Sequence, residues 1–210
     1  MRRSPGERAR LEPMRHRADH GGLREHLARY RFCAERVRGR VLDAGCGSGY
    51  GTHLLASARA AGEVVGLDRS ADAVAYAAAH YAGPGVRFAR ADLLSGALAG
   101  WGQFNTIVCL EVLEHLPAPE RLLSGLDGAL RPGGRLIVST PLGRGRAVAS
   151  GQPDHCFQLR RDEFERMLHA RFVFRLFGQK GETIERWRPG HRYFLMLALC
   201  RSRWERDGDA

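Results

Sequence analysis

Short apolar runs alternate with helically spaced stretches along most of this chain. Val41-Leu42 closes on Asp43, then Gly45, Gly47, Gly49 and Gly51 alternate with other residues. Thr52 to Ala61 follows as an Ala/Leu-rich helix. A second strand, Glu63 to Leu67, ends at Asp68, and Ser70 or Asp72 is placed to cap a helix running through Tyr81. After the Gly83-Pro84-Gly85 turn, Val86 to Ala89 reads as strand three and leads into Ala91-Asp92-Leu93. Phe104 to Leu110 is an apolar central strand, and Arg131-Pro132-Gly133-Gly134 turns the chain into strand five, Arg135 to Thr140. A Gly/Arg-rich loop then runs to Pro153. Arg161 to Ala170 puts Phe164, Met167 and Leu168 on one helical face, and Phe172 to Phe177 with Tyr193 to Cys200 forms a late hairpin, strands six and seven. Upstream, Leu23 to Val37 spaces Leu23, Leu27, Tyr30 and Ala34 as a helix.

The pattern divides the chain into a flexible basic arm (1–20), an N-terminal helix (21–38), an α/β domain (39–200) and a polar tail (201–210). Strands alternating with helices predict a parallel sheet, and such sheets bind ligands beyond the carboxyl ends of their strands. Asp43, Asp68, Asp92 and Glu111 each follow a strand, so all four are expected to ring one edge. The glycine run between a strand and a helix suits close approach of backbone to a nucleotide, because no Cβ intervenes.

Val41-Leu42-Asp43-Ala44-Gly45-Cys46-Gly47-Ser48-Gly49 resembles the first motif of class I S-adenosylmethionine (SAM)-dependent methyltransferases. A dinucleotide dehydrogenase would carry Gly-x-Gly-x-x-Gly for its pyrophosphate, and an acid on the strand lip would repel that group. The resemblance implies a Rossmann-like, three-layer αβα fold. Its seven-stranded sheet is mostly parallel, with strand seven antiparallel and helices on both faces. It also implies a role for each motif. Asp43, Gly45, Cys46, Gly47 and Gly49 surround the methionine end of SAM, with Leu110 beside them at the end of strand four. Asp68 and Arg69 serve the ribose, and Asp92 and Leu93 the adenine. Glu25-His26-Leu27-Ala28-Arg29-Tyr30-Arg31-Phe32 is similar to the lead-in helix of bacterial methyltransferases found near glycosyltransferases, where such a helix lids the pocket. Tyr30 and His26 are then either pocket groups or a packed helix face.

Glu111-Val112-Leu113-Glu114-His115 follows strand four. As one helical turn it would put Glu111, Glu114 and His115 on a shared face, with His155 of Pro153-Asp154-His155-Cys156 on the same rim. The string is similar to that of ubiquinone-biosynthesis O-methyltransferases. It is also similar to small-RNA 3′-end 2′-O-methyltransferases, where two Glu and two His hold a divalent ion. Three readings follow. Glu111, Glu114, His115 and His155 bind Mg²⁺ or Mn²⁺; or His115, Glu111 and His155 act as acid/base or acceptor-orienting groups; or the turn is structural. The strings of amino-methylating nucleic-acid enzymes and the paired-Glu hairpin of arginine methyltransferases are absent. The expected reaction is therefore O-methylation of a small hydroxylated metabolite or sugar-type acceptor. An RNA 3′ end and a non-catalytic SAM-binding module are the rivals.

Composition changes this little. The net charge of +10 invites a nucleic-acid partner, but of the 33 basic residues one alone, Lys180, is lysine. Such an Arg bias in an Ala- and Gly-rich chain points to codon usage, so nucleic acid is not the expected partner. Five dispersed cysteines without a Cys-x-x-Cys read as reduced thiols in a cytosol, and no apolar run has the length of a membrane span. A cytoplasmic monomer or homodimer is expected.

Overall fold

Alternating burial along the central strands separates two apolar layers, one on each side of a single sheet. Residues 21–203 are described by a computed structural model. The strands are β1 (Gly39–Ala44), β2 (Ala61–Asp68), β3 (Val86–Arg90), β4 (Phe104–Leu110), β5 (Leu130–Pro141), β6 (Phe172–Lys180), β7 (Thr183–Arg186) and β8 (Leu195–Ser202). Their order is β3-β2-β1-β4-β5-β8-β6-β7. The first five pair in parallel. β8 enters antiparallel between β5 and β6, the reversed strand that the family resemblance implies. The sheet has eight strands and not seven, because the Lys180–Thr183 turn folds β7 back onto β6 as an edge.

The helices are α1 (Gly21–Ala34), α2 (Tyr50–Ala56), α3 (Ala71–Tyr81), α4 (Pro119–Ala129) and α5 (Arg161–His169). Leu42, Ile107, Cys109, Leu136 and Val138 pack toward α4 and α5 through Leu122, Leu126, Phe164 and Leu168. The alternate residues Val41, Val108, Leu110 and Ile137 pack toward Leu23, Tyr30 and Cys33 of α1 and Leu55 of α2. This period of two is what a sheet covered on both faces requires.

Several boundaries differ from expectation for local reasons. α2 ends at Ala56, five residues early, because Ser57 turns its hydroxyl onto Leu54 O and Ala61 pairs with Gly39 as the start of β2. α1 ends at Ala34 and not Val37; Cys33 O accepts from both Arg36 N and Val37 N. Of the two candidate caps, Ser70 accepts from Ala73 N and starts α3. The Arg131–Gly134 turn lies within β5 as an irregularity between the Phe104–Leu130 and Thr106–Arg135 pairs. α4 was not predicted, although Pro119 at its start and Leu122, Leu123 and Leu126 at helical spacing mark it. Arg201 and Ser202 belong to β8 and not to a tail. The predicted arm 1–20, and tail residues 204–210, lie outside the described residues. No described helix is long and apolar enough to cross a membrane. The five cysteines are free thiols.

Candidate functional site

The glycine loop between β1 and α2 hangs from the tip of β2. Gly45 N and Cys46 N both donate to Leu67 O, at 2.8 and 3.0 Å. Gly47 N donates to Asp68 Oδ2 at 2.9 Å, while Ser70 N donates to Asp68 Oδ1 at 2.9 Å. Asp68 thus ties the loop to the start of α3. Gly49 opens α2 at φ 87, a left-handed conformation that side chains with a Cβ resist. At Gly51 the requirement is space, because the Tyr30 ring occupies the position that a Cβ would take.

Asp43 does not sit on the open lip of the strand as expected. It is fully buried beneath the loop, accepting from Thr52 Oγ1 at 2.7 Å and from Tyr30 OH at 3.2 and 3.3 Å. Burial lifts its carboxyl to about 7, against the opposing hydrogen bonds from Thr52 and Tyr30. Tyr30 is buried with it, and burial raises its phenol well above the usual range. Asp43 therefore acts as a strut joining β1, α1 and α2. The expected ring of four acids becomes three at the edge and one underneath.

The other residues expected at the nucleotide lie at the ends of β2, β3 and β4 or in the loop. Exposed Asp92 accepts from Leu94 N at 2.9 Å, an Asx turn that shapes the loop after β3, and Leu93 is half-buried beside it. Arg69 is exposed, with its carbonyl accepting from Arg90 Nε. Leu110 is buried at the end of β4 and Cys46 is buried in the loop.

Beyond β4 the predicted helical turn does not form. Glu111 has φ 53, the one positive-φ non-glycine among the described residues, and only Leu113–His115 makes a single 3₁₀ turn. The left-handed backbone removes Glu111 from the face of Glu114 and His115. Its Oε2 lies 2.6 Å from Arg29 Nη2 and 3.5 Å from His26 Nε2. His26 Nδ1 bonds Tyr50 OH, and burial with the nearby Arg29 lowers the imidazole to about 4, so it is neutral.

Glu114, His115 and His155 are brought together, with one ligand atom of each within 4.8 Å of the others. Glu114 is 1% exposed; its Oε2 accepts from Thr140 Oγ1 at 3.0 Å and its Oε1 has no partner. Burial, and then the charge of Glu111, raise its carboxyl to about 8. His115 Nδ1 lies 2.7 Å from Asp154 O, a carbonyl that only a protonated nitrogen can satisfy, so the neutral ring presents Nε2 as a base. The His155 ring stands edge-on to it, centroids 4.8 Å apart, with Nδ1 buried and unpartnered. Burial first, and then His115, lower the pKa of His155. Cys156 N donates to Glu114 O at 2.7 Å and fastens this segment to the turn.

Four residues at this rim were not singled out from the sequence: Arg29, Tyr50, Thr52 and Gln179. For Arg29 a signal existed, since it shares the helical stripe of His26, Tyr30 and Cys33, where a charge is out of place.

Comparison with known proteins bears on the family and the fold. Residues 14–175 match the family described as "Methyltransferase domain". A probable S-adenosylmethionine-dependent methyltransferase of Mycolicibacterium smegmatis is 38% identical over 124 residues, 57% of this chain and 45% of that protein. The ubiquinone biosynthesis O-methyltransferase of Methylococcus capsulatus is 34% identical over 103 residues, 48% of this chain and 43% of that one. The matched segments thus cover less than half the length of these relatives. Among solved structures, the N-methyltransferase NodS of Bradyrhizobium japonicum, in complex with S-adenosyl-L-homocysteine (SAH), superposes with a TM-score of 0.66 at 19% identity. It covers 93% of this chain and 94% of that one, and supports the fold. A TehB-like methyltransferase of Corynebacterium glutamicum gives 0.61 at 23% identity, covering 84% and 86%. With its glycine loop, sheet order and family match, the chain belongs to the class I SAM-dependent methyltransferases.

Proposed function

We propose that this enzyme methylates a hydroxyl of a small hydroxylated metabolite or sugar-type acceptor. The observation that carries the reading is the Glu114–His115–His155 cluster on the rim beyond β4 and β5. Methyl transfer from a sulfonium is an in-line displacement, for which the enzyme mainly positions donor and acceptor. A hydroxyl also needs its proton drawn off, and His115 Nε2, with Nδ1 committed to Asp154 O, is oriented to take it. Asp68 is assigned to the ribose hydroxyls, Asp92 and Leu93 to the adenine, and the Gly45–Gly49 loop to the methionine end. The O-methyltransferase named among the relatives supports an oxygen acceptor. The test is a mass-shift screen of hydroxylated metabolites with SAM. A gain of one methyl on an alcohol or phenol is expected; transfer to amines alone would overturn the reading.

A divalent ion fits the same cluster. Glu114 Oε1 and His155 Nδ1 are buried without partners, and an oxygen and imidazole donor set without thiolate suits Mg²⁺ or Mn²⁺. Glu114, His115 and His155 would hold it, with Glu111 turned away toward Arg29. This is an alternative to the base role of His115, because its one free nitrogen, Nε2, would then be a ligand; the ion itself would lower the pKa of an acceptor hydroxyl. Calorimetric titration with Mn²⁺ is expected to show binding that Glu114→Gln abolishes; no heat in the wild type would remove the ion from the scheme.

A further inference from the structure

On the far side of β5 a cavity of about 950 Å³ opens between α1, the β6–β7 turn and the segment that leads into β8. Phe194 lines it and is 64% exposed, although a phenyl ring ordinarily leaves water. Single exposed apolar residues on open surface are ordinary, but an aromatic face inside a cavity is what ring-bearing ligands use. Its position is fixed from both neighbouring strands. Phe194 N donates to Gln179 O of β6 at 2.9 Å, and its carbonyl accepts from Leu142 N, just past β5, at 3.0 Å. Next to it, the Tyr193 ring occupies the place that a Cβ of Gly178 would take.

The charges around this ring are unevenly paired. Glu185 is engaged: its Oε1 accepts from Tyr193 OH at 2.8 Å and lies 3.1 Å from His191 Nδ1, and its Oε2 lies 3.6 Å from Arg188 Nη2. Lys180, the single lysine of the chain, and Arg192 are exposed on the lining, and neither side chain has a hydrogen bond or ion pair among the described residues. Glu25 is the one lining acid whose carboxylate has no such partner, so two free cations face one free carboxylate. The sheet order places this cavity beside the reacting rim. β8 lies two strands from β4 and β6 three, which is about 10 and 14 Å at the usual strand spacing. A molecule with its hydroxyl at His115 can therefore lay a ring on Phe194 and extend a distal group to Lys180 and Arg192.

We propose that Phe194, Lys180 and Arg192 form the specificity end of the acceptor site, and that the acceptor carries a ring between its reacting hydroxyl and a distal acidic group, a carboxylate or a phosphate. The ring lies on Phe194 and the acid is held by the two cations. This rests on the reading of the enzyme as an O-methyltransferase with its acceptor hydroxyl at His115. It gives the β6–β7 turn and the chain leading into β8 a task in choosing the substrate, separate from the donor and from the Glu114–His115–His155 cluster.

Saturation-transfer NMR and calorimetry on the SAH-loaded enzyme test it without turnover, with 3-(4-hydroxyphenyl)propionate, its neutral amide and 4-hydroxybenzylphosphonate as probes. At least one of the two acids is expected to bind about five- to tenfold tighter than the amide, the scale of two partly exposed charge contacts, and the preference should shrink in high salt. The tighter acid tells a carboxylate from a phosphate ligand. Lys180→Met combined with Arg192→Met should erase the preference, and Phe194→Ala should weaken all three probes by about fivefold. SAH affinity should stay unchanged in each variant. Equal wild-type affinity for the acids and the amide overturns the site, as does failure of all three to bind. A preference that survives the double substitution overturns it as well. Methylation of amines alone in the mass-shift screen would instead overturn the O-methyl reading and leave the acid preference in binding, which distinguishes the two failures.

Discussion

Asp68 reaches the Gly47 amide across 21 positions, over a single strand–turn–helix–strand unit. His115 finds its partner Asp154 across 39 positions, and Arg29 finds Gln179 across 150. At the glycine loop the chain positions its groups by backbone, with amides of the loop bonded to Leu67 O and to the Asp68 carboxylate. At the Glu114–His115–His155 cluster the partners come from a distant segment, with His115 bonded to the Asp154 carbonyl and Cys156 N donating to Glu114 O. The first arrangement tolerates few residues, since Gly49 has a left-handed backbone and Gly51 has no room for a Cβ. The second keeps partly unsatisfied groups, Glu114 Oε1 and His155 Nδ1, where a reaction or an ion can use them.

The contrast can be broken most sharply at His115. His115→Ala is expected to cut turnover by about 10²- to 10⁴-fold, the range for a lost general base, with SAH affinity unchanged by calorimetry. A full-rate variant would make the cluster structural. On the donor side, Asp68→Ala should weaken SAH binding by about 1–3 kcal/mol, the cost of hydroxyl and amide partners left unpaired; unchanged affinity would remove the ribose role. Gly51→Ala pushes a methyl into the Tyr30 ring and should cost about 1–3 kcal/mol of stability in denaturant titration. An equally stable variant would show that α1 shifts freely on α2.

The smallest effect is a pH slope. The carboxyl of Asp43 is raised by burial from 3.8 to about 7, so between those values the folded state binds the proton that the unfolded chain releases. Its contribution is present at the acid end and is lost as pH rises toward 7. Glu114 acts in the same direction between 4.5 and about 8. Thermal melts should therefore show part of this slope disappearing in Asp43→Asn and the Glu114 part remaining. A slope unchanged in Asp43→Asn would mean that Asp43 is ionised in the fold.

Much of this was legible beforehand. Runs such as Val64–Leu67 and Phe104–Leu110 announce strands because burial on both faces demands continuous apolar residues, and the glycines of the loop announce the tight turn between β1 and α2. The direction of the Glu111 carboxylate was not legible, because helical spacing assumes a helix. The chain instead leaves β4 through a left-handed residue, with Glu111 N donating to Ser139 O and Oγ of β5.

The local order of apolar and polar residues determined most of the elements, α4 and β7 excepted, and the family resemblance supplied the reversed last strand and the loop that marks a methyltransferase. Each depends on neighbours in sequence or on a pattern repeated along it. The burial of Asp43, the pairing of Arg29 with Glu111 and the separation of Glu111 from His115 were decided only when α1, β4, β5 and β6 packed together. A carboxylate's role depends on which charge and which hydroxyl lie within about 3 Å of it, and no spacing along the chain specifies that.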